Sequence, residues 1–362
     1  MKHSVFISGG GTGGHIFPAL AIADELKANM PELSIVFVGA YNRMEMQRVP
    51  KAGYPIKGFW ISGFDRKNML RNILFPLKLV WSLGQAFVTL KRFRPKVVVG
   101  TGGFASGPLV YMASLLGIPS LLQEQNAFPG VTNKALAKRV DAVCLGSEAA
   151  QKYFPKDKIT ITGNPVRAAM HQSLSKAAAC TALGYDSSMF TLLVLGGSLG
   201  ARKINQLIKN HLSAIQGLDV QLIWQCGHLY AAEYELFSSE STHVLPFIDN
   251  MPAAYAAADL VVSRAGALAI SELCLLGKPT LFIPSPNVAE NHQEKNAQAL
   301  VDKGAAVLVR EADADEQFWK TLEVLIQDTS KREQLGANIK KFARPNATKA
   351  IVANIKKLMS HE

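Results

Sequence analysis

Three glycine-rich stretches hold most of the chemical promise of this sequence. They are Gly9-Gly10-Gly11-Thr12-Gly13-Gly14-His15, Thr101-Gly102-Gly103-Phe104-Ala105-Ser106-Gly107-Pro108 and Gly196-Gly197-Ser198-Leu199-Gly200-Ala201. Each follows a short apolar run. Backbone N–H groups at the start of a helix attract an anionic oxygen, and glycine lets that oxygen come close to the chain. The chemistry on offer is therefore phosphate binding. Two familiar phosphate sites are not matched. Gly9, Gly11 and Gly14 satisfy G-x-G-x-x-G, but a dinucleotide site also wants an acid at the end of the second strand. Here that strand ends Val38-Gly39-Ala40, with no acid until Glu45. A P-loop wants Lys-Ser/Thr where His15-Ile16 stands.

The elements that must position these loops repeat in two halves. Val5–Ser8, Ser34–Val38, Val97–Gly100, Ser120–Leu122 and Ala142–Leu145 read as buried strands, with a helix expected over Ile16–Met30. The rhythm restarts with a strand at Phe190–Leu195, the third glycine turn and a helix over Arg202–Leu212. Strands are expected again at Val220–Gln225, Val244–Phe247, Leu260–Ser263 and Thr280–Ile283. Alternating strand and helix predicts an α/β protein of two doubly wound, Rossmann-like domains with parallel sheets. Ligands of such sheets bind at the carboxyl ends of the strands, where the glycine turns lie. Two such domains facing a cleft would serve two substrates. The boundary is expected near Gly163-Asn164-Pro165, giving domains over residues 1–163 and 164–343.

Composition narrows the class. The 362 residues are 48% apolar and 19% charged, which suits filled cores and argues against disorder. A formal charge of +11 fits anionic partners: nucleic acid, anionic lipid or a phosphorylated substrate. The four cysteines, Cys144, Cys180, Cys226 and Cys274, form no C-x-x-C pair and read as buried free thiols. Met1-Lys2-His3 leads straight into a strand, so no secretory signal is expected. The longest uncharged run, Val97–Gln123, is broken by glycine and proline and is expected not to span a bilayer.

Several blocks, in order, resemble the MurG family of lipid-linked N-acetylglucosamine transferases. They are Gly10–His15 with Pro18, Thr101–Pro108, Glu124-Gln125-Asn126, Gly163-Asn164-Pro165-Val166-Arg167, Gly196–Ala201, Phe247-Ile248-Asp249, Ser263–Glu272 and His292-Gln293. Together they run from residue 5 to about 297. Gln123 stands where the family often has His, Phe104 where it often has Tyr, and Leu199 where it often has Gln. The resemblance implies the GT-B fold, an inverting transfer of N-acetylglucosamine from UDP to an undecaprenyl-diphosphate muramyl-pentapeptide (lipid I to lipid II), and a role in peptidoglycan synthesis. It also implies an acceptor- and membrane-associated first domain and a UDP-sugar-binding second domain. The last helix, about Asn346–Met359 within residues 344–362, would return to the first domain.

Inverting displacement of UDP needs a base for the acceptor hydroxyl, stabilisation of the departing diphosphate and in-line geometry. His15, at the mouth of the first glycine loop, is a candidate base, because an imidazole titrates near neutral pH. Its alternative is to order the loop or touch phosphate. Glu124 is the second candidate base; its alternative is a structural carboxylate capping a turn. Arg167 offers a planar fork of donors to the diphosphate, and Ser198 offers a hydroxyl and backbone donors. By resemblance, the substrate-binding set also includes Thr12, Gly13, Gly14, Asn126, Ile248, Arg264, Ala267, Leu268, Ala269, Ile270, Ser271, Glu272 and Gln293. Glu272 would accept from both ribose hydroxyls, Ile248 would meet uracil, and Asn126 and Gln293 would bond sugar hydroxyls. The D-x-D match Asp313-Ala314-Asp315 reads as a solvated helix start rather than a metal site. No cofactor and no tightly bound metal are expected.

Residues 66–123 contain no acid but eight basic residues: Arg66, Lys67, Arg71, Lys78, Lys91, Arg92, Arg94 and Lys96. Within them Met69–Phe93 is rich in large apolar side chains, including Leu74, Phe75 and Trp81. An apolar face rimmed by cations suits peripheral docking on anionic lipid. The expected location is the cytoplasmic face of the bacterial inner membrane. The rival readings are a UDP-N-acetylglucosamine 2-epimerase and a basic nucleic-acid-binding protein. The latter lacks interleaved exposed aromatics or a recognisable module, so no nucleic-acid partner is expected.

Overall fold

The computed structural model describes residues 4–64, 68–171, 174–197, 199–288 and 291–360. The chain divides into two compact units, one of Met1–Ala168 with Arg344–Glu362 and the other of Ala169–Ala343.

Continuous Val, Ile, Leu and Phe runs form the strands of the first unit, as expected for a sheet covered on both faces. They are β1 (Ser4–Gly9), β2 (Ser34–Ala40), β3 (Ile56–Phe59), β4 (Val97–Gly102), β5 (Ser120–Glu124), β6 (Ala142–Leu145) and β7 (Ile159–Ile161). The sheet is parallel, in the order β3-β2-β1-β4-β5-β6-β7. Successive side chains go to opposite faces. Val5, Ile7, Val97 and Val99 pack with Ile16, Leu20, Ile351 and Ile355 on one side. Phe6 and Val98 pack with Leu109, Val110, Leu122 and Val143 on the other. Ile351 and Ile355 belong to the last helix, Ala347–Ser360, which therefore completes the core of the first unit. Thr348 Oγ1 fixes it by donating to the Val166 carbonyl at 3.2 Å.

The second unit repeats the plan with β8 (Phe190–Leu195), β9 (Val220–Gln225), β10 (Thr242–Leu245), β11 (Leu260–Ser263), β12 (Thr280–Phe282) and β13 (Val307–Leu308). The order is β10-β9-β8-β11-β12-β13, again parallel. Three strands, β3, β7 and β13, lie outside the sequence expectation, and all three are sheet edges. β10 begins two residues earlier than expected and stops at Leu245. The first helix runs Gly13–Asn29 and so starts inside the glycine run rather than at Ile16. The helix expected over Arg202–Leu212 breaks at His211 into Arg202–Asn210 and Leu212–Gln216.

Candidate functional site

In the first unit the strand β1 delivers the chain into Gly9–Thr12, and Thr12 is the N-cap of the helix Gly13–Asn29. Its side chain makes no capping bond. The amides of Gly13 and Gly14 are in the first turn, where no intrahelical acceptor exists. They point the positive end of a helix dipole out of the loop.

His15 follows directly. Its Nδ1 has two oxygens beside it, the Thr101 carbonyl at 3.1 Å and Gln125 Oε1 at 3.1 Å. Gln125 Nε2 donates to that same Thr101 carbonyl at 2.8 Å and to the Gln123 carbonyl at 3.3 Å, which fixes Oε1 toward the imidazole. A nitrogen facing only acceptors must be the donor. The hydrogen-bond pattern therefore assigns the Nδ1–H tautomer and leaves the lone pair on Nε2. Thr101 also donates through Oγ1 to the His15 carbonyl at 2.8 Å. A side chain at Gly103, which has φ +77°, would meet the Gly10 carbonyl at 2.2 Å and His15 Cδ2 at 3.1 Å. The second glycine loop is thus a seat for the first loop and for the imidazole.

Glu45 is the second anchor, and sequence reasoning passed over it as an acid that came too late. The short helix Glu45–Lys51 carries it back to the end of β2. There it is fully buried and accepts from Ala40 N–H and Gly11 N–H, each at 3.0 Å. A Cβ at Gly10 would stand 2.2 Å from Glu45 Oε1, so glycine at that position makes room for the carboxylate. Phe104 closes over the same loop, within 3.0 Å of where a Gly11 Cβ would be. The position that often carries tyrosine in the family is here filled by an apolar ring.

Glu124, the last residue of β5, is buried against the turn that follows. It is 1% exposed. Oε1 accepts from the Asn126 backbone and Nδ2 at 3.0 and 3.1 Å, and Oε2 from Gly130 N–H and Asn133 Nδ2 at 3.2 and 2.8 Å. Both oxygens are committed to the turn 124–133, which leaves no lone pair facing outward to take an acceptor proton. Asn126 Nδ2 donates to Glu124, which leaves its carbonyl oxygen for another partner. Arg167 lies with its guanidinium 5.4 Å from the Phe17 ring, so it stands beside the helix that begins with the glycine loop.

The second unit presents an open cavity. At the end of β8, Gly196, Gly200 and Ala201 line a cavity of about 560 Å³ together with Arg202, Lys203 and Arg264. Gly200 has φ +82°, and a Cβ there would strike the Cys226 carbonyl at 2.2 Å. Burial raises the Cys226 thiol, which lies behind this loop. Ser198 lies outside the described residues. Gln293 lines the cavity, with Oε1 accepting from Ser285 N–H at 2.9 Å and its amide N–H groups left over. Arg264 Nη1 donates to the Ile283 carbonyl at 2.9 Å and stands 2.6 Å from Glu311 Oε2.

Next to it, β11 runs into Gly266, the N-cap of the helix Ala267–Leu276. Leu268 and Ala269 offer first-turn amides, whereas the Ile270 amide donates to the Gly266 carbonyl. Ser271 Oγ donates to the Ala267 carbonyl at 2.9 Å, so its hydroxyl proton is spent inside the helix. Glu272 is half-buried, and Tyr255 Oη donates to its Oε2 at 3.1 Å. The buried tyrosine fixes one carboxylate oxygen and was missed in the sequence. Ile248 is 4% exposed, so its side chain belongs to the core. Asp315 pairs with Lys203 rather than with another acid, and among the described residues no group of three His, Cys, Asp or Glu is placed to hold a metal.

On the first unit, the helix Phe75–Phe93 buries only Ser82, Ala86 and Leu90, a stripe one residue wide. Leu74, Leu77, Val80, Trp81 and Val88 are more than half exposed. Lys78 bonds Ser62 Oγ at 3.3 Å beside the Trp60 ring. Lys91, Arg92 and Arg94 end the helix, all exposed. Arg66, Lys67 and the Arg71 side chain lie outside the described residues. No described helix is long and apolar enough to cross a membrane.

Residues 5–145 match the glycosyltransferase family 28 N-terminal domain and residues 191–351 the glycosyltransferase family 28 C-terminal domain. The chain is 51% identical over 363 residues to the UDP-N-acetylglucosamine–N-acetylmuramyl-(pentapeptide) pyrophosphoryl-undecaprenol N-acetylglucosamine transferase of Flavobacterium psychrophilum, covering 100% of this chain and 99% of the relative. It is 48% identical to the enzyme of the same name from Phocaeicola vulgatus, covering 98% and 96%. Among solved structures, Acinetobacter baumannii MurG superposes with a TM-score of 0.76 at 28% identity, over 98% of this chain and 99% of that one. A UDP-N-acetylglucosamine 2-epimerase from Listeria monocytogenes superposes at 0.73 with 14% identity over 100% and 98%, a likeness of fold alone.

Proposed function

The chain belongs to glycosyltransferase family 28, among the UDP-N-acetylglucosamine–N-acetylmuramyl-(pentapeptide) pyrophosphoryl-undecaprenol N-acetylglucosamine transferases, and on that premise we propose how its residues divide the reaction. The enzyme is a hexosyltransferase that moves N-acetylglucosamine from UDP-N-acetylglucosamine to the lipid-linked muramyl-pentapeptide, converting lipid I to lipid II in peptidoglycan synthesis.

His15 is the general base. The acceptor hydroxyl gives its proton to Nε2 as its oxygen bonds to the anomeric carbon, and the bond to UDP breaks on the opposite face. The imidazolium that forms keeps its Nδ1–H on the Thr101 carbonyl and Gln125. Glu124 holds the turn 124–133 and does not take the proton. The first unit presents the acceptor, whose diphosphate meets Thr12 and the amides of Gly13 and Gly14. The second unit binds the donor. Glu272, oriented by Tyr255, accepts from the ribose hydroxyls; the backbone of Ile248 meets uracil; Gln293 donates to the sugar. The departing diphosphate is met by the first-turn amides of Leu268 and Ala269, by the glycine loop with Ser198, and by Arg264.

The exposed helix Phe75–Phe93 seats the first unit on the anionic cytoplasmic leaflet, where an acceptor with a polyprenyl tail must stay. Apolar side chains enter the interface and the cations at its ends meet lipid headgroups, at about 1 kcal/mol per basic residue near the surface.

The observation that carries the assignment of the base is the commitment of His15 Nδ1 to two oxygens. His15→Ala should lower single-turnover transfer from radiolabelled UDP-N-acetylglucosamine by about 10²–10⁴-fold while UDP affinity by calorimetry stays near wild type. A variant that turns over normally contradicts the role. Selective loss of acceptor affinity assigns His15 to phosphate contact instead.

A further inference from the structure

The acidic stretch after β13 has no part in the reaction as described, yet Glu311 lines the cavity and Asp315 pairs with Lys203, which also lines it. Asp315 Oδ1 and Oδ2 lie 2.7 and 2.6 Å from Lys203 Nζ. Glu311 Oε2 lies 2.6 Å from Arg264 Nη1. Lys203, Arg264 and Glu311 all line the cavity. Two of its cations are therefore answered by carboxylates four residues apart on one segment, which runs into the helix Ala314–Gln327.

Stability does not explain the outer pair. Asp315 is 71% exposed, and an ion pair of that kind contributes about 0–1 kcal/mol to folding. For ligand binding the arrangement is costly, because a carboxylate in the wall of a diphosphate site repels the ligand and holds the cations the ligand needs. That cost is informative. A transferase must release UDP after each turnover, and a diphosphate gripped by uncompensated Lys and Arg leaves slowly.

We propose that residues 311–315 are a built-in competitor for the diphosphate. Glu311 holds Arg264 and Asp315 holds Lys203; the diphosphate of the donor takes both cations, and the carboxylates reclaim them as UDP departs. The segment thereby weakens retention of UDP and makes charge a smaller part of donor affinity than the cavity's cations would give. This rests on the reading that the cavity takes the UDP-sugar diphosphate.

The test is calorimetric binding of UDP and of uridine to the full chain and to Glu311→Gln, Asp315→Asn and Arg264→Ala. Competition predicts that Glu311→Gln tightens UDP by about 5–10-fold and Asp315→Asn by about 2–3-fold, the sizes expected for removing one screened ion-pair competitor. Uridine, with no diphosphate, should bind all the carboxylate variants as it binds wild type. UDP dissociation by stopped flow should slow in the same order. Asp315 is exposed enough that its amide variant keeps the fold even if Glu311→Gln does not. UDP affinity that is unchanged or weaker in the folded carboxylate variants would overturn the competition and make these acids positioning groups. Arg264→Ala with wild-type UDP affinity would overturn the placement of the diphosphate itself, and the competition with it.

Discussion

The glycine loops that follow β1 and β8 open the two units in the same way, strand to loop to helix, yet they are wired differently. The loop after β1 is held from behind. Glu45 takes the Gly11 amide, Thr101 takes the His15 carbonyl, and Gln125 with the Thr101 carbonyl takes His15 Nδ1. The loop after β8 is supported at Gly197 by Gln225 Nε2, at 2.8 Å, and backs onto Cys226. Its side of the cavity carries cations paired with Glu311 and Asp315, the charges proposed above to compete with the diphosphate. The difference teaches what each loop is for. A proton-transfer group has to be fixed in tautomer and direction before substrate arrives. A site that binds and releases a dianion at every turnover works better with contacts that have a ready alternative.

The wiring of the first loop can be broken at Glu45. Glu45→Ala strands two buried amides at about 1–3 kcal/mol each, partly offset because a charge no longer has to be buried, so unfolding stability should fall by about 2–4 kcal/mol. Denaturant titration measures it. Transfer should slow with the KM for UDP-N-acetylglucosamine unchanged, since the donor is read elsewhere. Stability and kcat both at wild-type level would show that the loop is not anchored there.

Contrast with the second unit is sharpened at Glu272. Glu272→Ala should weaken UDP by about 1.5–3 kcal/mol, the worth of hydrogen bonds to a charged group, and leave acceptor binding near wild type. Equal UDP affinity by calorimetry would remove Glu272 from the ribose. The smallest effect belongs to the exposed helix. Changing Leu74, Phe75 and Trp81 together to Ser should reduce sedimentation with anionic liposomes and slow transfer to the long-chain acceptor more than to a short-chain soluble one. Unchanged liposome binding, with circular dichroism intact, would put the membrane face elsewhere.

Much of this architecture was readable because a parallel sheet covered on both faces needs unbroken apolar runs. Val97-Val98-Val99 and Phe190–Leu195 declare themselves. The edges do not: Ile56-Lys57-Gly58-Phe59 and Val307-Leu308 are short, mixed, and become strands only because β2 and β12 offer them partners. Local sequence placed His15 at the mouth of a loop. It could not show the tautomer, which depends on residues 86 and 110 positions away. Glu45 was read as an acid too far along to matter, because the helix that returns it to Ala40 is a tertiary fact. The chemistry of Glu124 likewise turned on Gly130 and Asn133, whose bonds to it are made only in the folded turn. Residue type indicated what these groups can do; distant partners decided what they are free to do.

Proton transfer at His15 depends most directly on the state of one ring. Long-range ¹⁵N–¹H correlation spectra of the histidine-labelled protein, assigned by comparison with His15→Ala, report which nitrogen of His15 carries the proton in the neutral imidazole. Nδ1 should carry the proton and Nε2 be free, with that preference weakened in Gln125→Ala, where the Thr101 carbonyl alone remains as acceptor. A neutral His15 protonated on Nε2 would contradict its role as base, because the nitrogen assigned to receive the acceptor proton would already hold one.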